Sequence, residues 1–144
     1  MRRWGRLHAR LYRLSRGRLL PRWFGAPVLV METVGRRSGR RRATPVLYLR
    51  DDERLIVYAA NAGAHRTPDW WLNLRAAGEA SVVVDGERLA VRPRVLDGAE
   101  RERAWHGFCE IYPQAREYPG FTERPLPLIA LEPVAEQSSD GARQ

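Results

Sequence analysis

The chain has 144 residues, 44% of them hydrophobic, and a formal net charge of +8, a size that suits one compact domain with a single core. Its longest uncharged apolar run, 24–31, contains Gly25 and Pro27 and falls short of the ~20 residues a membrane-spanning helix needs. Arginines at positions 2, 3, 6, 10, 13, 16 and 18 leave no apolar stretch for a signal peptide, so secretion is not expected.

A single cysteine, Cys109, makes no internal disulfide and offers no thiolate cluster, which fits a reducing cytoplasm and argues against structural zinc. All 25 basic residues are arginine, a bias that a GC-rich genome explains as well as chemistry does. Their distribution says more. Residues 1–42 hold 13 arginines against Glu32 alone, whereas 43–144 hold 12 against 16 acids, so the basic field is confined to the first third.

Taken in chain order, residues 1–22 read as a basic amphipathic helix over 1–20, with Trp4, Leu7, Leu11 and Leu14 on one stripe and arginines on the rest. Pro21 and the Gly25-Ala26-Pro27 break end it. A second unit, 23–135, carries β-branched runs at 28–34, 45–50, 54–60, 80–85, 88–96 and 126–132, with hairpin turns at Asp51-Asp52 and Asp85-Gly86. Two helices interrupt them: 68–77, opening on Pro68, and 99–112, with Trp105, Phe108, Ile111 and Tyr112 inward. The tail, 136–144, reads as disordered. Hairpin-linked strands with few helices predict a mostly β (α+β) antiparallel sheet or small barrel, not a parallel doubly wound sheet.

The most unusual segment is 33–45, where Gly35-Arg36-Arg37-Ser38-Gly39 is followed by Arg40, Arg41 and Arg42 between two apolar runs. Glycines allow a sharp turn, and guanidinium groups grip phosphate or carboxylate with two parallel hydrogen bonds, so the loop has the makings of an anion clamp. Composition alone equally allows a solvated basic loop. No phosphate-binding P-loop and no Gly-x-Gly-x-x-Gly motif occurs.

Other constellations point away from hydrolysis and metals. His8, His65 and His106 share no metal-ligand spacing, and no metal is expected. Cys109 lies beside the inward face of its helix and reads as a structural thiol. In 68–74, Trp71 and Leu74 suit a core, while Trp70 and Asn73 share a stripe that can meet a ligand. Tyr112 and Tyr118, each followed by proline, place two phenols on one loop, as surface aromatics or as donors lining a pocket.

Together, Gly35-Arg36-Arg37-Ser38-Gly39 with Arg42 and Pro45, then Ala59 to Gly63, Pro68-x-Trp70-x-x-Asn73-Leu74, Tyr112-Pro113 and Thr122-x-Arg124-x-x-Pro127 resemble the deazaflavin (F420)-dependent nitroreductase family, over residues 28–133. The resemblance implies a split β-barrel of about six antiparallel strands with flanking helices, like the FMN-binding split barrel, that binds reduced coenzyme F420. It further implies that Arg36, Arg37 and Arg42, with Ser38 and Gly39, hold the coenzyme's phosphate and oligoglutamate. Ala43, Thr44, Pro45, Val46 and Leu47, then Tyr58, Ala59, Ala60 and Asn61, then Asp69, Trp70 and Asn73, would line the ring and ribityl chain. Where the family usually has Ala-Ser-x-Gly-Gly, this chain reads Ala59-Ala60-Asn61-Ala62-Gly63; Arg37 replaces the usual lysine, and Leu47 stands where some members carry tyrosine.

A coenzyme that itself supplies the hydride leaves the protein to supply geometry, which accounts for the missing triad. Tyr112 and Tyr118 are then the candidates for orienting substrate or delivering a proton. The leading expectation is a cytoplasmic reductase acting on a small-molecule acceptor such as a quinone, enone or nitroaromatic. Its N-terminal helix either rests on the inner face of an anionic membrane or packs on the barrel. A non-catalytic lipid or fatty-acid carrier on the same barrel is the second expectation. Nucleic-acid binding ranks last, since the arginine helix carries no base-reading motif, and no nucleic-acid partner is expected.

Overall fold

A computed structural model describes residues 22–23 and 26–134. The N-terminal helix expected over 1–20, with His8, lies outside these residues, and so does the tail 136–144.

Seven strands run β1 (Arg22–Trp23), β2 (Ala26–Val34), β3 (Arg41–Asp51), β4 (Arg54–Tyr58), β5 (Ala80–Val84), β6 (Glu87–Val95) and β7 (Leu128–Pro133). They hydrogen-bond in the order β1-β2-β3-β4-β7-β6-β5, and β5 returns to β2, so β2 to β7 close into an antiparallel barrel with β1 added at the start of β2. Closure removes the sheet edges that a flat arrangement would expose. The β2–β5 seam pairs Val30 with Val83 and Glu32 with Ser81.

Local chemistry explains the turns. Asp52 at φ 56°, and Asp85 and Gly86 at φ 50° and 79°, sit in left-handed conformations that tight hairpins between twisted strands require. β3 is longer than its apolar run predicts. Arg41 and Arg42 belong to the strand, paired with Val34 and Thr33, because an exposed strand end tolerates arginines on its solvent side. The arginine turn therefore shrinks to 35–40.

Helix α1 (Asp69–Ala77) starts after Pro68, which sits just before the helix rather than in its first turn, and ends on Gly78 at φ 76°. Helix α2 (Gly98–Ile111) follows Asp97. Two stretches read from sequence as loops form 3-10 turns, Asn61–Gly63 and Pro113–Phe121.

Two apolar clusters result. One fills the barrel: Leu29, Met31, Leu55, Val57, Val82, Val91, Ile129 and Leu131 alternate inward, and Trp70, Trp71 and Leu74 of α1 join them. The other lies between α2 and the outer face of β4 and β7, where Ile56, Tyr58, Leu128 and Ala130 meet Ala104, Phe108, Cys109 and Tyr112. Trp105 and Ile111 pack only at its margin. Cys109 is buried, as a structural thiol should be.

Candidate active site

The site begins with the arginine turn. Gly35 N–H donates to the Arg40 carbonyl at 2.7 Å, Gly39 N–H to the Gly35 carbonyl at 2.9 Å, and Arg40 N–H to Ser38 Oγ at 3.2 Å. A Cβ on Gly35 would stand 2.5 Å from Ser38 Oγ, so a side chain there would push that hydroxyl off the Arg40 N–H it accepts. α1 holds the turn from beneath: Oδ1 of buried Asn73 accepts Arg36 N–H at 3.1 Å and the Arg36 guanidinium at 2.9 Å. Both bonds draw on the single carbonyl oxygen of Asn73, so that oxygen anchors the turn, while the residue also borders the arginine cleft.

Above the turn is a cleft of about 180 Å³ bordered by Arg37, Ser38, Arg42, Arg66, Asp69 and Asn73 among others. It meets a larger pocket of about 720 Å³, within the usual range for cofactor sites, and Arg42, Arg66 and Asp69 border both. Thr44, Pro45, Val46 and Leu47 of β3 form one wall of the larger pocket, Tyr58, Ala60 and Asn61 another, and Trp70 lines it from α1. Phe108, Tyr112, Gln114 and Tyr118 complete it from α2 and the turn that follows. Of the residues expected at the site, Gly39, Ala43 and Ala59 border neither cavity; Ala59 is fully buried.

The two phenols come together. The Tyr112 hydroxyl donates to Gln114 Oε1 at 3.1 Å, so the Tyr118 hydroxyl is the donor in its 2.5 Å contact with the Tyr112 oxygen. Burial, then the bond to Tyr112, pushes the Tyr118 phenol well above its ordinary value. Tyr58 stacks beside Tyr118, with centroids 6.3 Å apart, and its own hydroxyl is buried without a hydrogen-bond partner among the described residues. Burial pushes Tyr58 up to about 12.

Sequence reasoning missed Arg66, Gln114 and Phe108 as pocket residues, and it gave Arg124 no task beyond its place in a motif. Arg124 is the clamp of the pocket's floor. Nε donates to the Ala64 carbonyl at 2.8 Å, Nη2 to Ala60 at 2.6 Å, and Nη1 to Ala59 and Pro125 at 3.3 Å each. This holds a segment in which Asn61, Ala62 and Gly63 are all left-handed, at φ 48°, 53° and 79°. A Cβ on Gly63 would press into Phe121 at 2.8 Å. The signal available in the sequence was the spacing of Thr122, Arg124 and Pro127. Among the described residues no group of His, Cys, Asp and Glu is arranged to hold a metal.

The sequence profile of the F420H(2)-dependent quinone reductase family matches residues 4–133. An F420H(2)-dependent quinone reductase of Mycobacterium tuberculosis (strain ATCC 25618 / H37Rv) is 30% identical over 132 residues, spanning 88% of this chain and 87% of its own length. Among solved structures, an F420-H2 dependent reductase, FDR-A, matches with a TM-score of 0.66 and 30% identity over 74% of this chain and 94% of that one. A chain described as a domain-swapped dimer matches with a TM-score of 0.67 and 26% identity, over 88% and 96% respectively. With its closed antiparallel barrel and this match over nearly its whole length, the chain belongs to the F420H(2)-dependent quinone reductase family.

Proposed function

We propose that this protein binds reduced coenzyme F420 across the two cavities and reduces a quinone-type acceptor. The observation that carries the reading is the junction itself: an aromatic and aliphatic pocket that suits a planar ring opens, at Arg42, Arg66 and Asp69, onto an arginine cleft that suits an anionic tail. Arg37 and Arg42, which border the cleft, form no ion pair with a carboxylate among the described residues.

When bound, the reduced deazaflavin supplies a hydride equivalent. Everything else is the work of the chain. Thr44 to Leu47 and Trp70 shape the walls that keep reacting partners together and water out. Arg37 and Arg42 hold phosphate or carboxylate. The Tyr118-Tyr112-Gln114 chain sets two phenol oxygens at the pocket wall, and the Tyr118 O–H, once turned from the Tyr112 oxygen to an acceptor oxygen, orients that acceptor or passes it a proton. Enones and nitroaromatics share the electron-poor character of quinones and belong in the same substrate screen.

The same reading places the protein in the reducing cytoplasm, where its buried single thiol is at home. The basic and apolar pattern of the sequence over 1–20 suits an anionic membrane surface, which would bring a lipid quinone within reach. No helix among the described residues is long and apolar enough to cross a membrane. Titration of the purified protein with coenzyme F420, followed by deazaflavin fluorescence, tests the core of the proposal. Saturable, salt-sensitive binding is expected, followed by coenzyme-dependent reduction of menadione; an absence of binding would sink it.

A further inference from the structure

Among the described residues Asp69 is the one carboxylate bordering either cavity of the site. Both of its oxygens lie 3.1 Å from Arg66 Nη2, and Oδ1 lies 3.6 Å from Arg36 Nη1. Arg36 comes from the turn between β2 and β3, and Arg66 from the segment that leads into α1. The carboxylate thus ties two guanidiniums across the place where the cavities meet. Arg66 is three-quarters exposed and Arg36 about one-quarter, at 75% and 27%, so neither needs Asp69 to satisfy a buried charge.

Four arginines border the smaller cleft: Arg36, Arg37, Arg42 and Arg66. Bare, such a cluster attracts any polyanion, because Coulomb attraction grows with ligand charge and does not depend on ligand shape. With Asp69 in place, two of the four face an internal carboxylate. The other two have no carboxylate partner among the described residues. An anion entering the cleft feels Asp69 as a like charge a few ångströms away, and the penalty rises with each charge the ligand brings that close.

We propose that Asp69 is a specificity-determining residue, an internal counter-anion that occupies Arg36 and Arg66 so that the cleft accepts a phosphate, or the spaced carboxylates of an extended tail, at Arg37 and Arg42 and disfavours anions whose charges are packed close together. The identity of the natural ligand rests on the coenzyme reading above. The sign of the charge effect does not.

The test uses the full chain and its Asp69→Asn and Asp69→Glu variants, titrated with orthophosphate, tripolyphosphate and coenzyme F420. At low salt Asp69→Asn is expected to bind tripolyphosphate about three- to tenfold more tightly than wild type, by the Coulomb energy of one charge at a few ångströms in water. The gain is expected to be smaller for orthophosphate and to vanish by roughly 0.5 M salt. Asp69→Glu should behave as wild type. Unchanged or weaker tripolyphosphate binding in Asp69→Asn would overturn the proposal, and so would an Asp69→Glu variant that gains affinity. Should Asp69→Asn fold poorly, Asp69→Ser, a residue well suited to a helix start, repeats the measurement. If F420 binds neither protein while the tripolyphosphate gain is seen, the charge role of Asp69 stands and the coenzyme reading falls. If F420 binds wild type and no tripolyphosphate gain is seen, the coenzyme reading stands and the role of Asp69 falls.

Discussion

Asn73 Oδ1 accepts two hydrogen bonds from one residue, the backbone N–H of Arg36 at 3.1 Å and its guanidinium at 2.9 Å. One buried oxygen on α1 thereby fixes both the path of the arginine turn and the direction of its first arginine. Asn73→Ala removes both bonds and leaves a partly buried donor unpaired, at a cost of about 1–3 kcal/mol. Urea denaturation should show that loss, with weaker binding of the anionic coenzyme in the folded fraction.

Arg36 and Arg42 should separate on mutation. The Arg36 guanidinium is committed to Asn73, so Arg36→Ala is expected to lower stability along with affinity. Arg42 borders both cavities and has no such commitment. Arg42→Ala should weaken coenzyme binding by about 1–3 kcal/mol with the melting temperature unchanged. Paired fluorescence titrations and thermal melts distinguish the two.

The tyrosines give contrasting predictions. Tyr118→Phe deletes the 2.5 Å bond to Tyr112, and turnover should fall at least tenfold with little change in coenzyme affinity. Tyr58→Phe removes a buried hydroxyl without a partner among the described residues, so stability should hold or rise. Both phenols have folded-state values above the ordinary one, Tyr58 at about 12. Above about pH 10 the unfolded chain has lost these protons and the folded one keeps them, so stability present at neutral pH declines as pH rises toward 12. Tyr58→Phe should flatten that alkaline limb in a series of melts.

At the opposite end of the pH scale, Glu100 is held down at about 2, first by Arg94 at 2.7 Å and then by Arg54 at 2.8 Å. A depressed carboxyl contributes stability above its unfolded value, near 4.5, that is lost as pH falls toward 2. Since the side chain is partly open to solvent and screened, the effect should be modest, and high salt should shrink it. Glu100→Gln is expected to reduce the difference in melting temperature between pH 6 and pH 3.

Arg124 is the last of the series. Its guanidinium serves four carbonyls, three of which, those of Ala59, Ala60 and Ala64, flank the left-handed residues 61–63. Arg124→Ala is expected to cost about 2–3 kcal/mol, by the loss of charge-assisted hydrogen bonds. It should raise hydrogen exchange across residues 59–64 before it affects the barrel strands. Arg124→Lys should recover little, because an ammonium lacks the planar fork that reaches several acceptors at once.

Much of this protein was legible from the chain alone. Short β-branched runs announced the barrel strands, since such side chains suit the pleated surface of a strand; aspartates and glycines announced the hairpins because they tolerate left-handed backbone. The arginine turn stood out because thirteen arginines face a single acid in the first 42 residues. Local pattern, however, says what a side chain is and not what stands opposite it. Nothing at position 73 tells that its oxygen is consumed by Arg36, 37 residues away, and nothing at 124 tells that its donors reach Ala59 and Ala60 across more than sixty residues. The junction of the two cavities at Arg42, Arg66 and Asp69 likewise exists only after β3 and the entry to α1 are brought together by barrel closure. Secondary structure and the identity of the chemical groups follow from short-range propensity. Which groups are spent on holding the fold, and which remain for a ligand, is a property of long-range pairing that the tertiary structure alone decides.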